Sequence, residues 1–128
     1  MSNPKGLITP EQAKALNDAY TARCELVSKD ITKREDNRSS WYSLQEIKDF
    51  LDYAETQAKS LGYTMDGIRI YCGAYPKVDG QAGYSTSFIV PTASSSEEDG
   101  DGQSHDIQGA NGLNFGQNGY PPGGNYPQ

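Results

Sequence analysis

The sequence predicts an α+β fold: two helices packed on a small antiparallel sheet, followed by a C-terminal strap rich in Gly and Asn. Three observations carry this expectation. Two stretches open with helix-capping boxes and continue with apolar residues three and four apart. Residues 67–75 and 84–90 then alternate with a period of two, the pattern of a β-hairpin. After a polar gap, aromatic residues return at intervals through GANGLNFGQNGYPPGG.

The first helix begins at Thr9-Pro10-Glu11-Gln12, which supplies a hydroxyl N-cap, Pro at the first helical position and Gln at N3. Ala13, Leu16, Tyr20, Cys24, Val27 and Ile31 follow at helical spacing and form one predicted apolar stripe. KREDNRSS, residues 33–40, reads as a solvated connection. The second helix opens at Ser43-Leu44-Gln45-Glu46, with Tyr42 and Ile47 placed to act as a hydrophobic staple. Its stripe is Leu44, Ile47, Leu51, Ala54, Ala58 and Leu61, widened by Phe50, and Gly62 stands where a left-handed C-cap is expected.

In the hairpin, Ile68, Ile70, Cys72 and Ala74 share one face of the first strand, and Arg69, Tyr71 and Tyr75 share the other. Asp79-Gly80 supplies turn chemistry in the connection. Pro91 is expected to end the second strand because it has no N–H for a ladder. Both Cys24 and Cys72 are expected on apolar faces as free, buried thiols. The chain therefore divides into a compact unit at 1–92, an acidic flexible linker at 93–110 and, at 111–128, a C-terminal strap or, alternatively, a disordered tail with incidental aromatics. The strap is expected to fold residues 112–122 back over the sheet face bearing Arg69, Tyr71 and Tyr75, a face too aromatic to be left bare.

Charge separates the same regions. All eleven Lys and Arg precede residue 93, together with twelve of the seventeen Asp and Glu, so the remaining five acids have no basic neighbour in sequence. Such a surface repels phosphate backbones and anionic membranes, which argues against nucleic-acid and membrane partners. MSNPKGLITP lacks the apolar core of a signal peptide, and no run approaches the ~18–20 apolar residues of a membrane span. The expected location is the cytoplasm.

SWYSLQEIKDFLDYA, GYTMDGIRIYCGAYP, SFIVPT and NFGQNGYPP together resemble a group of small Bacteroidota-type bacterial proteins with no assigned function. The resemblance runs over most of the chain from about residue 40. It implies that NFGQNGYPP belongs to the folded unit, and it implies no activity and no site residues.

Chemical motifs are sparse. One histidine, His105, and two separated cysteines cannot assemble a zinc site by themselves. Counted from Asp99, an EF-hand loop would need Gly at 104 and Glu at 110, where Ser104 and Ala110 stand. GANGLNFG has neither the Lys nor the following helix of a phosphate loop. No cofactor or metal is expected, and no catalytic residue is assigned. Nine tyrosines against three phenylalanines favour half-exposed contact surfaces. The candidate interaction surface is Arg69, Tyr71 and Tyr75 with Phe115 and Tyr120 of the strap. These residues suit a protein partner, since Tyr and Arg are enriched at interface hot spots. They equally suit packing beneath the strap. The sequence thus favours a non-catalytic cytoplasmic interaction or accessory protein. Its alternatives are a small enzyme with a site between strap and sheet around Asp66, Arg69, Tyr71 and His105, or a self-assembling structural protein.

Overall fold

The structure, a computed structural model, describes residues 3–94, 103–114, 117–118 and 124–127. Helix α1 spans Pro10–Leu26 and runs into a π-helical turn at Val27–Ile31. A short strand β1 (Ser40–Trp41) precedes helix α2 (Leu44–Ser60). Strands β2 (Met65–Ala74), β3 (Ser85–Ser94) and β4 (Ser104–Asp106) form an antiparallel sheet in the order β2-β3-β4. Strand β5 (Gln117–Asn118) pairs with β1 as a separate antiparallel ribbon. The fold is α+β, as the periodicities predict.

Both capping boxes form as read from the sequence. Thr9 and Ser43 accept from the N3 amides of Gln12 and Glu46, whose side chains accept from the N-cap amides in return. At the end of α2, Gly62 has φ +89 while Tyr63 N–H donates to Ala58 C=O and Gly62 N–H to Lys59 C=O. This is a Schellman motif, whose left-handed residue favours Gly.

Helix α2 packs on one sheet face in two clusters. Phe50 and Ala54 meet Ile89, with Tyr42, Ile47, Met65 and Leu113 around them; Ala58 meets Ala93 and Ile107. Two fully buried alanines let the helix backbone approach the sheet closely. The inward line is centred on Phe50, Ala54 and Ala58, leaving Leu44, Leu51 and Leu61 of the predicted stripe exposed.

Helix α1 presents a different line from the one its apolar residues suggest. Ala13, Asn17, Thr21 and Ser28 are half-buried and Cys24 is buried, whereas Leu16, Tyr20 and Ile31 are exposed. The reason is polar docking. The Arg38 guanidinium donates to Thr21 Oγ1 and to Asn17 C=O and Oδ1, and lies over the Tyr20 ring. Ser28 Oγ accepts from Asp36 N–H at 2.9 Å. The connection at 33–40 is therefore structural: Thr32, Asp36 and Asn37 are among the buried polar residues of the chain. The Asp36 carboxylate accepts from both the N–H and the hydroxyl of Ser85, and Asn37 Nδ2 donates to Ser85 C=O.

Three further expectations are corrected. Strand β3 does not end at Pro91 but continues through it to Ser94. Pro91 faces Ile68 across the ladder, and its C=O accepts from Ile107 N–H on the side away from β2. Its nitrogen therefore points away from the β2 ladder, where no N–H is needed. The segment taken as a linker contributes Ala93 and Ser94 to β3 and Ser104–Asp106 to β4; residues 95–102 lie outside the described residues. Cys72 is exposed, because α2 leaves that part of β2 uncovered.

The strap backbone at Gly112–Leu113 follows the edge of β3 and does not lie over the Arg69 face, which only the Asn114 side chain touches, at Thr86; further on, Gln117–Asn118 pair with β1 and Asn125 accepts from Asn17 of α1. Leu113 exchanges two backbone hydrogen bonds with Ile89, of 2.8 and 2.9 Å, and its side chain joins the α2 core. An added Cβ at Gly112 would come within 2.9 Å of Ile89 C=O, so this approach requires glycine. A strand edge with unpaired amides attracts a chain more strongly than an aromatic face that can remain wet. Residues 115–116 and 119–123 lie outside the described residues.

Replacing Asp36 by Ala removes two acceptors from Ser85 and leaves a strand amide without its partner. The expected loss is about 1–3 kcal/mol of stability. Urea unfolding checks it, with exposed Glu35→Ala as the near-neutral control.

Candidate functional site

The sheet face opposite α2 collects the residues singled out from the sequence. Register places Arg69 opposite Val90, Tyr71 opposite Phe88 and Gly73 opposite Thr86, all on this face. Strand β4 adds Asp106, opposite Thr92, and Ser104, opposite Ser94. Tyr71 and Phe88 stack with ring centroids 5.2 Å apart and planes inclined by 14°. Tyr71 and Tyr75 remain exposed.

Each charged group on this face has a partner on the sheet. Arg69 Nη1 lies 2.6 Å from Asp106 Oδ1, and Nη2 donates to Ser104 C=O at 3.1 Å. The Tyr71 hydroxyl donates to the other Asp106 oxygen. Asp66, turned onto the same face by an irregularity between Met65 and Gly67, accepts from the hydroxyls of Ser104, Thr92 and Ser94. These contacts tie short β4 to β2 across β3. Farther along, Thr86 Oγ1 donates to Asn114 Oδ1 at 3.1 Å and lies 3.4 Å from the Tyr75 hydroxyl.

The hydrogen bonds shift the acids in one direction. The Tyr71 hydroxyl, followed by Arg69, holds the Asp106 carboxyl below its ordinary value. The Ser104, Thr92 and Ser94 hydroxyls do the same for Asp66. The Asp106 partner raises Arg69. Both carboxylates are thus ionised at neutral pH and poorly suited to donate a proton.

Of the residues considered for an enzyme site, Asp66, Arg69 and Tyr71 come together, with Asp106 added. His105 does not join them: it pairs with Ala93, on the α2 side of the sheet. Phe115 and Tyr120 lie outside the described residues. Among the described residues no three His, Cys, Asp or Glu side chains gather as a metal site. Asp106 was the partner missed from the sequence, because it stands in an acidic run of linker composition. The available signal was the strand-like spacing of Ser104 and Asp106, two residues apart.

A concavity of about 800 Å³ lies between α1 and the 33–38 connection, lined by Cys24, Ser28, Arg34 and Arg38 among others. Its two arginines are already engaged. Arg34 donates to Thr32 C=O and Ala82 C=O and covers the Tyr84 ring, while Arg38 clamps α1. Their role there is structural, fixing the connection to α1 and to the loop before β3.

Comparison of the chain with protein-family models, curated proteins and solved structures finds no match. The geometry of the face carries the functional reading.

The lowered acids give stability a defined pH dependence. A folded-state pKa below the ordinary 3.8 contributes stability that is present above that value and lost as pH falls through the lowered one. The urea midpoint is expected to hold down to about pH 5 and to fall below about pH 4. In Asp66→Asn/Asp106→Asn the midpoint starts lower at neutral pH and its acid decline is shallower. An unchanged decline would exclude these two acids as its source.

Proposed function

We propose that the chain is a non-catalytic cytoplasmic protein of the bacterial group it resembles, and that it binds another protein through the sheet face of Arg69, Tyr71 and Tyr75. One observation carries this reading: Tyr71 and Tyr75 are exposed on the face while Arg69 is paired with Asp106 and Asp66 is held by three hydroxyls. A partner docking here would desolvate rigid rings and an already paired ion, avoiding the cost of stripping a lone charge. Tyr71 is held by stacking and by Asp106, so little side-chain entropy is lost on contact.

The acidic segment after residue 93 offers negative charge to a basic rim on the same partner. Its five carboxylates without a sequence-neighbour base disfavour a nucleic acid in this role. No helix among the described residues is long and apolar enough to cross a membrane.

The test is co-purification from the source cells with quantitative mass spectrometry, using tagged wild-type, Tyr71→Ala, Tyr75→Ala and Arg69→Ala chains. A stoichiometric partner is expected to weaken by about 2 kcal/mol at a hot-spot position. Leu16→Ala, on the exposed side of α1, should leave capture unchanged. Equal capture by all four chains would remove the face from the function.

A further inference from the structure

The sheet has two edges, and the chain treats them oppositely. Along the far side of β3, backbone groups are taken by Asp36, Asn37, Tyr42, Leu113, Ile107 and β4. On the other side, no strand pairs with the outer edge of β2 among the described residues. This edge is ten residues long. Natural sheets usually guard such an edge with Lys, Pro or a short strand. MDGIRIYCGA contains no Lys or Pro, and its charges, Asp66 and Arg69, are turned onto the sheet face, where β4 holds them.

The direction of the edge groups can be read residue by residue. Ile89 gives both its N–H and its C=O to Leu113, away from β2. Directly opposed residues of an antiparallel ladder turn their backbone groups both inward or both outward. Ile70 opposes Ile89, so its N–H and C=O face the open edge. Pro91 C=O points to Ile107 and makes the same statement about its opposite residue, Ile68. Tyr75 N–H bonds Tyr84 C=O, which fixes the alternate parity as inward. Ile68, Ile70 and Cys72 therefore present their backbone groups outward.

Apolar surface accompanies them. Ile70 is 65% exposed and Ile68 41%, on the sheet face that α2 covers elsewhere. On α2, Tyr53 and Gln57 contact Asn111, so their flank faces the strap edge. At ~100° per residue, Leu44 and Leu51 fall on the opposite flank, above β2, and both are exposed.

We propose that the occupant of this edge is a second copy of the chain, paired antiparallel through β2 about a two-fold axis at Ile70. The edge is self-complementary in that register. Ile70 meets its own copy, Ile68 meets Cys72, Arg69 meets Tyr71 and Gly67 meets Gly73. The outward residues at 68, 70 and 72 exchange about six backbone hydrogen bonds. No like charges oppose one another, and each guanidinium lies beside a tyrosine ring of the other copy. Centring the axis on Arg69 would instead set two guanidinium groups face to face. Two three-stranded sheets become one continuous sheet, and the isologous contact closes on itself. The proposal rests on the edge and not on the reading of the face, although it sets Arg69 beside Tyr71 of the other copy; Ile70, on the opposite side of the sheet, tests the edge by itself.

Sedimentation equilibrium of the full chain tests it. Twice the chain mass is expected, dissociating on dilution. Ile70→Lys places two like charges on the axis and is expected to weaken the dimer roughly tenfold or more. Its side chain is exposed, so its far-UV circular dichroism should match wild type and its melting temperature that of wild type diluted to the monomer. The register has its own check. Under mild oxidation Ile68→Cys should link to Cys72 of the other copy as a covalent dimer, and the added change Cys72→Ser should abolish the link. A wild-type chain that stays monomeric at high concentration overturns the proposal, as does a dimer indifferent to Ile70→Lys. A persistent dimer without the 68–72 link overturns the register.

Discussion

The far edge of β3 is the constraint on which the rest of the structure depends. A central strand must satisfy backbone groups on both sides, and β2 supplies only one. The other side is completed in pieces from distant parts of the sequence. Asp36 and Asn37 close it at Ser85, the Tyr42 hydroxyl at Ser87, Leu113 at Ile89, Ile107 at Pro91 and β4 at its end. Each piece fixes a further element. Asp36 brings Ser28 and the end of α1, Tyr42 sets the start of α2, and Leu113 carries the strap into the core.

This arrangement explains how a chain with 34% hydrophobic residues holds together. Among the described residues, the buried apolar side chains form two small clusters beneath α2, and α1 adds Cys24 alone. Helix α1 is attached by hydrogen bonds and by Arg38, not by an apolar face. Stability accordingly leans on buried polar groups whose loss leaves strand amides without partners. The face of Arg69 and Tyr71 follows the same logic: its ions and hydroxyls hold β4 in place, and the rings stay available to solvent. With α2 occupied over β3, the β2 edge and its isoleucines remain outside.

Local signals were legible in the sequence wherever neighbours decide the outcome. The capping boxes at Thr9 and Ser43, the left-handed Gly62 and the Asp79-Gly80 turn all depend on residues a few positions apart. The alternation of Ile68 to Tyr75 gave the correct faces, and therefore the correct grouping of Arg69, Tyr71 and Tyr75. What escaped depends on distant partners. KREDNRSS has the composition of a solvated loop, and only the position of Ser85 turns Asp36 into a buried acceptor. Ser104-His105-Asp106 reads as linker until Arg69 and Asp66 are placed across the sheet. Pro91 looks like a strand end until the direction of its missing N–H is known. The stripe of α1 failed because apolar spacing predicts which face could be buried, not whether a core lies beside it.

Native-state amide hydrogen exchange tests the role of the β3 edge most directly. The amides of Ser85, Ile89, Ile107 and Leu113 all donate hydrogen bonds along this one edge, although the groups that meet there come from the helix connection, β3, the end of β4 and the strap. They are expected to exchange together in the slowest class, at the free energy of global unfolding. Fast exchange of Leu113 and Ile107 with a still-protected β2–β3 ladder would contradict it, showing that the sheet stands without its assembled edge.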